Sequence, residues 1–139
     1  MLLTLWLQCT EHLDKEGEQM EKQKKDPLYK SFKYAFEGIF AGIKKERNMQ
    51  IHCTAMILVI VAGIIFQISA VKWCICFILF GLIMGLELVN TSVEAVVDLV
   101  TEKYHPLAKL AKDTAAGAVL IAAIMSVVIG CIIFIPEIL

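Results

Sequence analysis

Trp73-Cys74-Ile75-Cys76-Phe77-Ile78-Leu79-Phe80-Gly81-Leu82-Ile83-Met84-Gly85-Leu86 runs for fourteen residues without a charge, and Glu87-Leu88-Val89-Asn90-Thr91-Ser92-Val93-Glu94-Ala95-Val96-Val97-Asp98 follows directly. A helix turns about 100° per residue. With Glu87 at zero, Glu94 falls at about −20°, Asp98 at about +20°, Thr91 at about +40° and Asn90 at about −60°. Three carboxylates, an amide and a hydroxyl therefore share one face along about 16 Å of helix. Like charges so placed repel strongly in a low dielectric. A cation, a basic ligand clamp or protons must balance them. One Asn or Ser would be polar glue between packed membrane helices. Three acids are not, because ionisable groups at membrane depth are costly and mark function.

The composition sets the class. Of 139 residues, 58% are hydrophobic and 19% charged, too apolar for an ordinary soluble domain. A net charge of −1 carries no electrostatic footprint for nucleic acid, and none is expected as a partner. The five cysteines (Cys9, Cys53, Cys74, Cys76, Cys131) include no C-x-x-C. Four lie in apolar runs, where free Cys behaves as a small hydrophobe, so neither a disulfide framework nor a zinc site is expected.

Working outward from the central stretch, Asn48 to Val71 holds no Asp, Glu, Lys or Arg. It is long enough for a first span, placed at about 49–69. A turn near Gln67 to Lys72 leads to the second span at about 73–97. Gly81 and Gly85 form a G-x-x-x-G there, on a face about 120–160° from Glu87, so close helix packing and the polar stripe use different faces. Thr101 to Pro106 is the next break, with Pro106 restarting a helix. Thr114 to Pro136 is free of charge and gives a third span at about 114–135.

Upstream, Asp26-Pro27 is a helix-start signal. Leu28, Phe32, Phe36, Ile39, Phe40 and Ile43 then recur at three- and four-residue spacing, while Lys30, Lys33, Glu37, Lys44 and Lys45 fall mostly on other faces. This predicts an amphipathic surface helix over about 27–46, lying in the plane of a membrane. Residues 1–25 are expected to be a disordered N-terminal extension or an over-extended start. Residues 26–139 are expected to form one integral membrane domain: an all-α protein with a surface helix and three transmembrane helices.

Twelve of the thirteen Lys and Arg lie before the first span or between the second and third; only Lys72 lies on the other side. The positive-inside rule puts the N-terminus and the acidic stripe in the cytoplasm and the C-terminus outside. Counted from Lys72, Glu87 is about 22 Å along its helix and Glu94 about 33 Å, at the cytoplasmic boundary. Soluble nucleotide and metal reach that level from one side and lipid from the other.

Boundary carboxylates bind hard cations, and Mg²⁺ takes one or two of them together with phosphate oxygens. A carboxylate beside the metal can accept a proton from an alcohol. A lysine can hold phosphate as a point charge. Phosphoryl transfer needs those parts, yet no P-loop and no kinase Gly-rich loop is present.

The runs E-L-V-N-T-S-V-E-A-V-V-D, K-Y-H-P and A-K-D-T-A-A-G-A-V-L-I-A-A resemble the prokaryotic diacylglycerol kinase and undecaprenol kinase family, over about Lys30 to Ile133. The pairing of E-x-x-N-[ST]-x-x-E-x-x-x-D with A-K-D is highly specific. The resemblance implies small bacterial cell-membrane enzymes of three spans, working with ATP and Mg²⁺ as homotrimers with sites between subunits. By position it implies Glu87 as proton acceptor for the lipid hydroxyl, with Asn90 orienting base or substrate and Asp98 supporting the site. Glu46 and Glu94 would hold Mg²⁺ with the ATP phosphates, Lys112 would contact phosphate and Asp113 the nucleoside. Tyr34, Lys103, Tyr104 and His105 would line the ATP site. Without the family, Glu46 is a charged helix end, Tyr34 and Tyr104 are interfacial aromatics, His105 is a loop residue and Lys112 a cytoplasmic anchor. Many members carry an arginine just before the surface helix. Here the region reads Lys24-Lys25-Asp26-Pro27, and Lys25 or Lys30 would take its place.

Glu46-Arg47-Asn48-Met49-Gln50-Ile51-His52 and Asn90-Thr91 look like the Gram-positive branch, which implies undecaprenol as the acceptor, with diacylglycerol as the alternative. A proton-coupled transporter is a further class, but its acids would lie near the midplane. A structural membrane protein would need no acidic stripe.

Overall fold

The computed structural model describes residues 27–139, and the expected extension at 1–25 lies outside them. Four helices follow in chain order: α1 (Leu28–Lys45), α2 (Arg47–Ile65), α3 (Ala70–Val100) and α4 (Pro106–Ile138). The described part is all-α, and α2, α3 and α4 are each long and apolar enough to cross a membrane. The chain divides into two units, up to Glu37 and from Gly38 to Leu139. In the first, Lys33 and Glu37 pair across one helical turn at 3.7 Å.

In the second unit a single residue separates α1 from α2. Glu46 is extended (φ −94°, ψ 120°). Its N–H donates to the Gly42 carbonyl at 2.9 Å and closes α1, while its own carbonyl accepts from Gln50 N–H at 3.2 Å and opens α2. Gly42 is buried here: a Cβ on it would lie 2.9 Å from Leu88 Cδ2 and 3.4 Å from Met49 Cε. The missing side chain lets this end of α1 sit on α3 and on Met49, which is fully buried.

The helix α2 stops at Ile65, four residues before the expected limit of its span. Ile68 N–H donates to the Gly63 carbonyl at 3.2 Å and Gln67 N–H to the Ile64 carbonyl at 3.3 Å, with Gln67 left-handed at φ 52°. This is a Schellman closure, which satisfies the last carbonyls of a helix. The usual glycine is absent, so the sequence carries no stop signal there. Ser69 then stands at the N-cap and α3 begins at Ala70, making Val71 and Lys72 helical rather than part of the turn.

The principal packing is α3 against α4, with α2 against α3. Ile68, Cys76 and Ile133 form a buried cluster at the end of the bundle near the α2–α3 turn, with Val59, Phe66, Trp73, Phe80 and Phe134 around it. Phe66 and Phe134 meet edge to face at 6.3 Å. Elsewhere large side chains such as Ile57, Ile78, Ile121 and Val127 are exposed, as lipid-facing surfaces require and water-facing ones of this extent do not. Hydroxyls inside the long helices are satisfied locally: Thr54 donates to Gln50 O, Ser92 to Leu88 O and Ser126 to Ala122 O, each at 2.8 Å. A carbon at Gly81 or Gly85 would meet nothing within 4 Å, so the G-x-x-x-G face has no partner among the described residues.

Candidate active site

The stripe on α3 adopts the helical geometry its spacing predicts, and its members differ sharply in environment. Glu87 is 2% exposed and Asn90 7%, the two buried polar residues among those described. Glu94 is half-buried and Asp98 exposed. Asn90 Nδ2 donates to Glu94 Oε1 at 3.0 Å, so the amide holds Glu94 and not Glu87. Its Oδ1 is buried without a partner. The Thr91 hydroxyl, expected on the polar face, donates at 3.0 Å to the Glu87 main-chain carbonyl.

The third dimension adds two groups to this face. Glu46, half-buried at the α2 N-cap, acts electrostatically on Glu87, as does Glu94. His52 of α2 places Nε2 3.4 Å from Glu87 Oε1. That oxygen is sealed from solvent, and its contact with His52, though close, is not aligned as a hydrogen bond. The sequence gives His52 no role. Its only signal is an imidazole in a helix that is otherwise apolar beyond Thr54.

His52 also lines one end of a cavity of about 470 Å³ between α2, α3 and α4. Its walls include Met56, Phe80, Ile83, Val127 and Phe134. Ile83 lies one helical turn before Glu87. Glu87 itself does not line the cavity, which comes within one helical turn of it at Ile83 and touches its neighbour His52.

On the other side of the α3–α4 turn a second cavity of about 400 Å³ gathers Asp98, Lys103, Tyr104, His105, Lys112 and Asp113. Lys103, Tyr104, His105, Lys112 and Asp113, five of the eight residues assigned to nucleotide, thus share one pocket with Asp98. His105 has a local structural role as well: it is the N-cap of α4, and Nδ1 accepts from Leu107 N–H at 3.2 Å. Lys112 Nζ donates to Asp98 Oδ1 at 2.6 Å, and Lys109 pairs with Asp113 one turn away. Glu46 and Glu94 do not line this pocket. Tyr34 is exposed in the unit that ends at Glu37.

Among the described residues no three His, Cys, Asp or Glu side chains converge as a metal cage. Mg²⁺ does not require one, since substrate phosphates and water complete its shell. Half-buried Glu46 and Glu94, the latter oriented by Asn90, fit that modest donor set.

Three membrane-length helices enclose an apolar cavity that reaches His52 beside a buried acid, and a pocket of mixed charge lies at the α3–α4 turn. The comparisons with known proteins specify the class. The family model described as prokaryotic diacylglycerol kinase matches residues 33–134. The undecaprenol kinase of Bacillus subtilis (strain 168) is 46% identical over 110 residues, covering 79% of this chain and 89% of that protein. The diacylglycerol kinase of Synechocystis sp. is 42% identical over 113 residues, covering 81% of this chain and 65% of that protein. The diacylglycerol kinase of Escherichia coli (strain K12) is 31% identical over 106 residues, covering 76% and 87%. The chain belongs to the prokaryotic diacylglycerol kinase family, and is an ATP-dependent lipid kinase of the membrane.

Proposed function

We propose that residues 26–139 form a kinase domain that transfers the ATP γ-phosphate to the hydroxyl of undecaprenol, with diacylglycerol as the competing acceptor. The observation that carries this reading is Glu87, buried on α3 against His52, which lines the end of the apolar cavity. A base so placed is suited to a lipid alcohol and withheld from water. The choice of undecaprenol draws support from the 46% identity to the Bacillus subtilis undecaprenol kinase.

In this reading Glu87 accepts the hydroxyl proton as the oxygen attacks phosphorus. Asn90 fixes Glu94 through Nδ2 and keeps Oδ1 as an acceptor for the incoming alcohol. Glu46 and Glu94 hold Mg²⁺, which when bound supplies neutralising charge for the phosphates. Lys112 contacts phosphate, Asp113 the nucleoside, and Lys103, Tyr104 and His105 complete the pocket. Asp98 stands one turn beyond Glu94, about 6 Å away between Cβ atoms, so phosphates can run from the pocket to the metal ligands. The bare Gly81–Gly85 face suits close packing on further copies, in keeping with a homotrimer. The Lys/Arg bias places the N-terminus and the site in the cytoplasm and the C-terminus outside.

The test is ADP release by purified protein in detergent or bilayers, with undecaprenol, with diacylglycerol and with neither. Undecaprenol should give the highest kcat/KM. A preference for diacylglycerol would overturn the acceptor, and no lipid-dependent release the kinase roles.

A further inference from the structure

Glu87 is closed off on the side of Oε1, and the residue as a whole is 2% exposed. A base that receives a proton in each turnover must also lose it, and a buried carboxyl has no direct exit to water. The groups around it are few. Asn90 Nδ2 is committed to Glu94, and the Thr91 hydroxyl to the Glu87 carbonyl. Glu46 and Glu94 are the other ionisable groups that act on Glu87 besides His52, and both are assigned to Mg²⁺. A metal-bound carboxylate is a poor proton acceptor. His52 remains. Its Nε2 is 3.4 Å from Glu87 Oε1, and its side chain keeps 20% of its surface exposed.

We propose that His52 carries the proton away from Glu87 after each phosphoryl transfer. The inference rests on the reading of Glu87 as base. The balance is simple. The alcohol O–H bond breaks and its proton goes to the Glu87 carboxylate. The oxygen–phosphorus bond forms as the bond from γ-phosphorus to the bridging oxygen breaks, and that electron pair leaves with ADP. The carboxyl proton then passes to unprotonated Nε2, which restores the carboxylate. The imidazolium, about one and a half helical turns inside the Arg47 start of α2, releases one proton toward that polar end of the helix, and no other reactant is needed. The 3.4 Å contact must align and tighten into a hydrogen bond, a change usual when substrate binds. Imidazole is the side chain suited to such shuttling near neutral pH. His52 thus acts through Glu87 as a positioning and relay residue.

The alternative is that His52 only props Glu87. Glutamine can donate a hydrogen bond from a similar reach but cannot carry a proton, so His52→Gln separates the two roles. The full-length protein is assayed in bilayers with ATP and the lipid alcohol. Wild-type turnover that needs the alcohol, and its loss in Glu87→Gln, secure the reading beneath; absence of either overturns both together. His52→Gln should lower kcat by about 100-fold, the low end for one proton-transfer group, with little change in KM for ATP. Raising the concentration of imidazole buffer should then restore turnover in His52→Gln or His52→Ala but not raise it in wild type. Full activity in His52→Gln, or a reduced turnover that ignores added imidazole, would reduce His52 to a prop and overturn the relay.

Discussion

Lys112 of α4 donates to Asp98 of α3 across the turn that joins the two helices, at 2.6 Å. The lysine assigned to phosphate is thus paired with an acid of the stripe. Asp98 is exposed and Lys112 half-exposed, and surface pairs contribute only about 0–1 kcal/mol to stability. The value of the pair lies in where it keeps the ammonium. Asp98→Asn should leave the melting temperature nearly unchanged while shifting KM for ATP several-fold. A large loss of stability with unchanged KM would make the pair a structural clamp instead.

At the far end of the bundle, a Cβ on Gly63 would lie 2.8 Å from two ring carbons of Trp73 and 3.1 Å from Ile68 Cδ1. The indole is rigid and already stacked on Phe77 at 5.5 Å, so it cannot yield cheaply. Overpacking of this kind costs about 1–3 kcal/mol. Gly63→Ala should be destabilised by that amount in detergent unfolding. Gly81→Ala meets nothing among the described residues and should not be; a loss there would point to contacts with another copy.

The legible parts of the molecule are those where period and composition coincide. The α3 stripe could be placed in angle because its acids recur at helical spacing. The residues of the pocket at the α3–α4 turn other than Asp98 were named only through the family resemblance, since each alone reads as a loop residue, an interfacial aromatic or a membrane anchor. The stop of α2 was hidden because the left-handed position is held by Gln67, which carries no glycine signal. His52 was hidden because its meaning lies in a contact with another helix, thirty-five residues along the chain at Glu87. The partner choice of Asn90 was hidden for a related reason: Glu87 and Glu94 both lie within reach on the face, and only packing decides that the amide turns to Glu94.

Metal dependence follows from Glu46 and Glu94. Replacing either by Gln removes an anionic oxygen, and an amide is a weaker ligand for a hard cation. Glu46→Gln and Glu94→Gln should raise the Mg²⁺ concentration needed for half-maximal turnover, and excess Mg²⁺ should partly rescue at least one. In Glu94→Gln the Asn90 contact can persist, so the effect should fall on metal rather than on folding. Unchanged Mg²⁺ titrations in both variants would remove them from the metal.

Orientation is testable from the opposite end. Lys72 in the first turn of α3 pairs with Glu137 near the end of α4, although the two are far apart in sequence. The pair marks the bundle end away from the acidic stripe, and Lys72 is the one Lys or Arg expected outside. A periplasm- or surface-active reporter fused after Leu139 should be active and a cytoplasmic one silent. The reverse pattern would move the whole site to the other face of the membrane.

The base assignment makes the sharpest prediction. Glu87 is buried on α3 between Ile83, which lines the apolar cavity one turn before it, and the acids that follow, with Asn90 on the same face after it. Glu87→Gln preserves the size of the side chain and most of its contacts but cannot accept a proton. Removal of a general base typically costs about 10²–10⁴ in rate, and kcat should fall within that range. ATP affinity should change little, because Glu87 lies outside the pocket that gathers Lys103, Tyr104, His105, Lys112 and Asp113. The substitution keeps the side chain's size and its place beside His52, so the protein should be about as stable as wild type. Turnover, nucleotide binding and thermal unfolding measured on one preparation separate the cases. Near-normal turnover would end the assignment of Glu87 as base, and lost ATP binding in a folded protein would move it among the metal ligands.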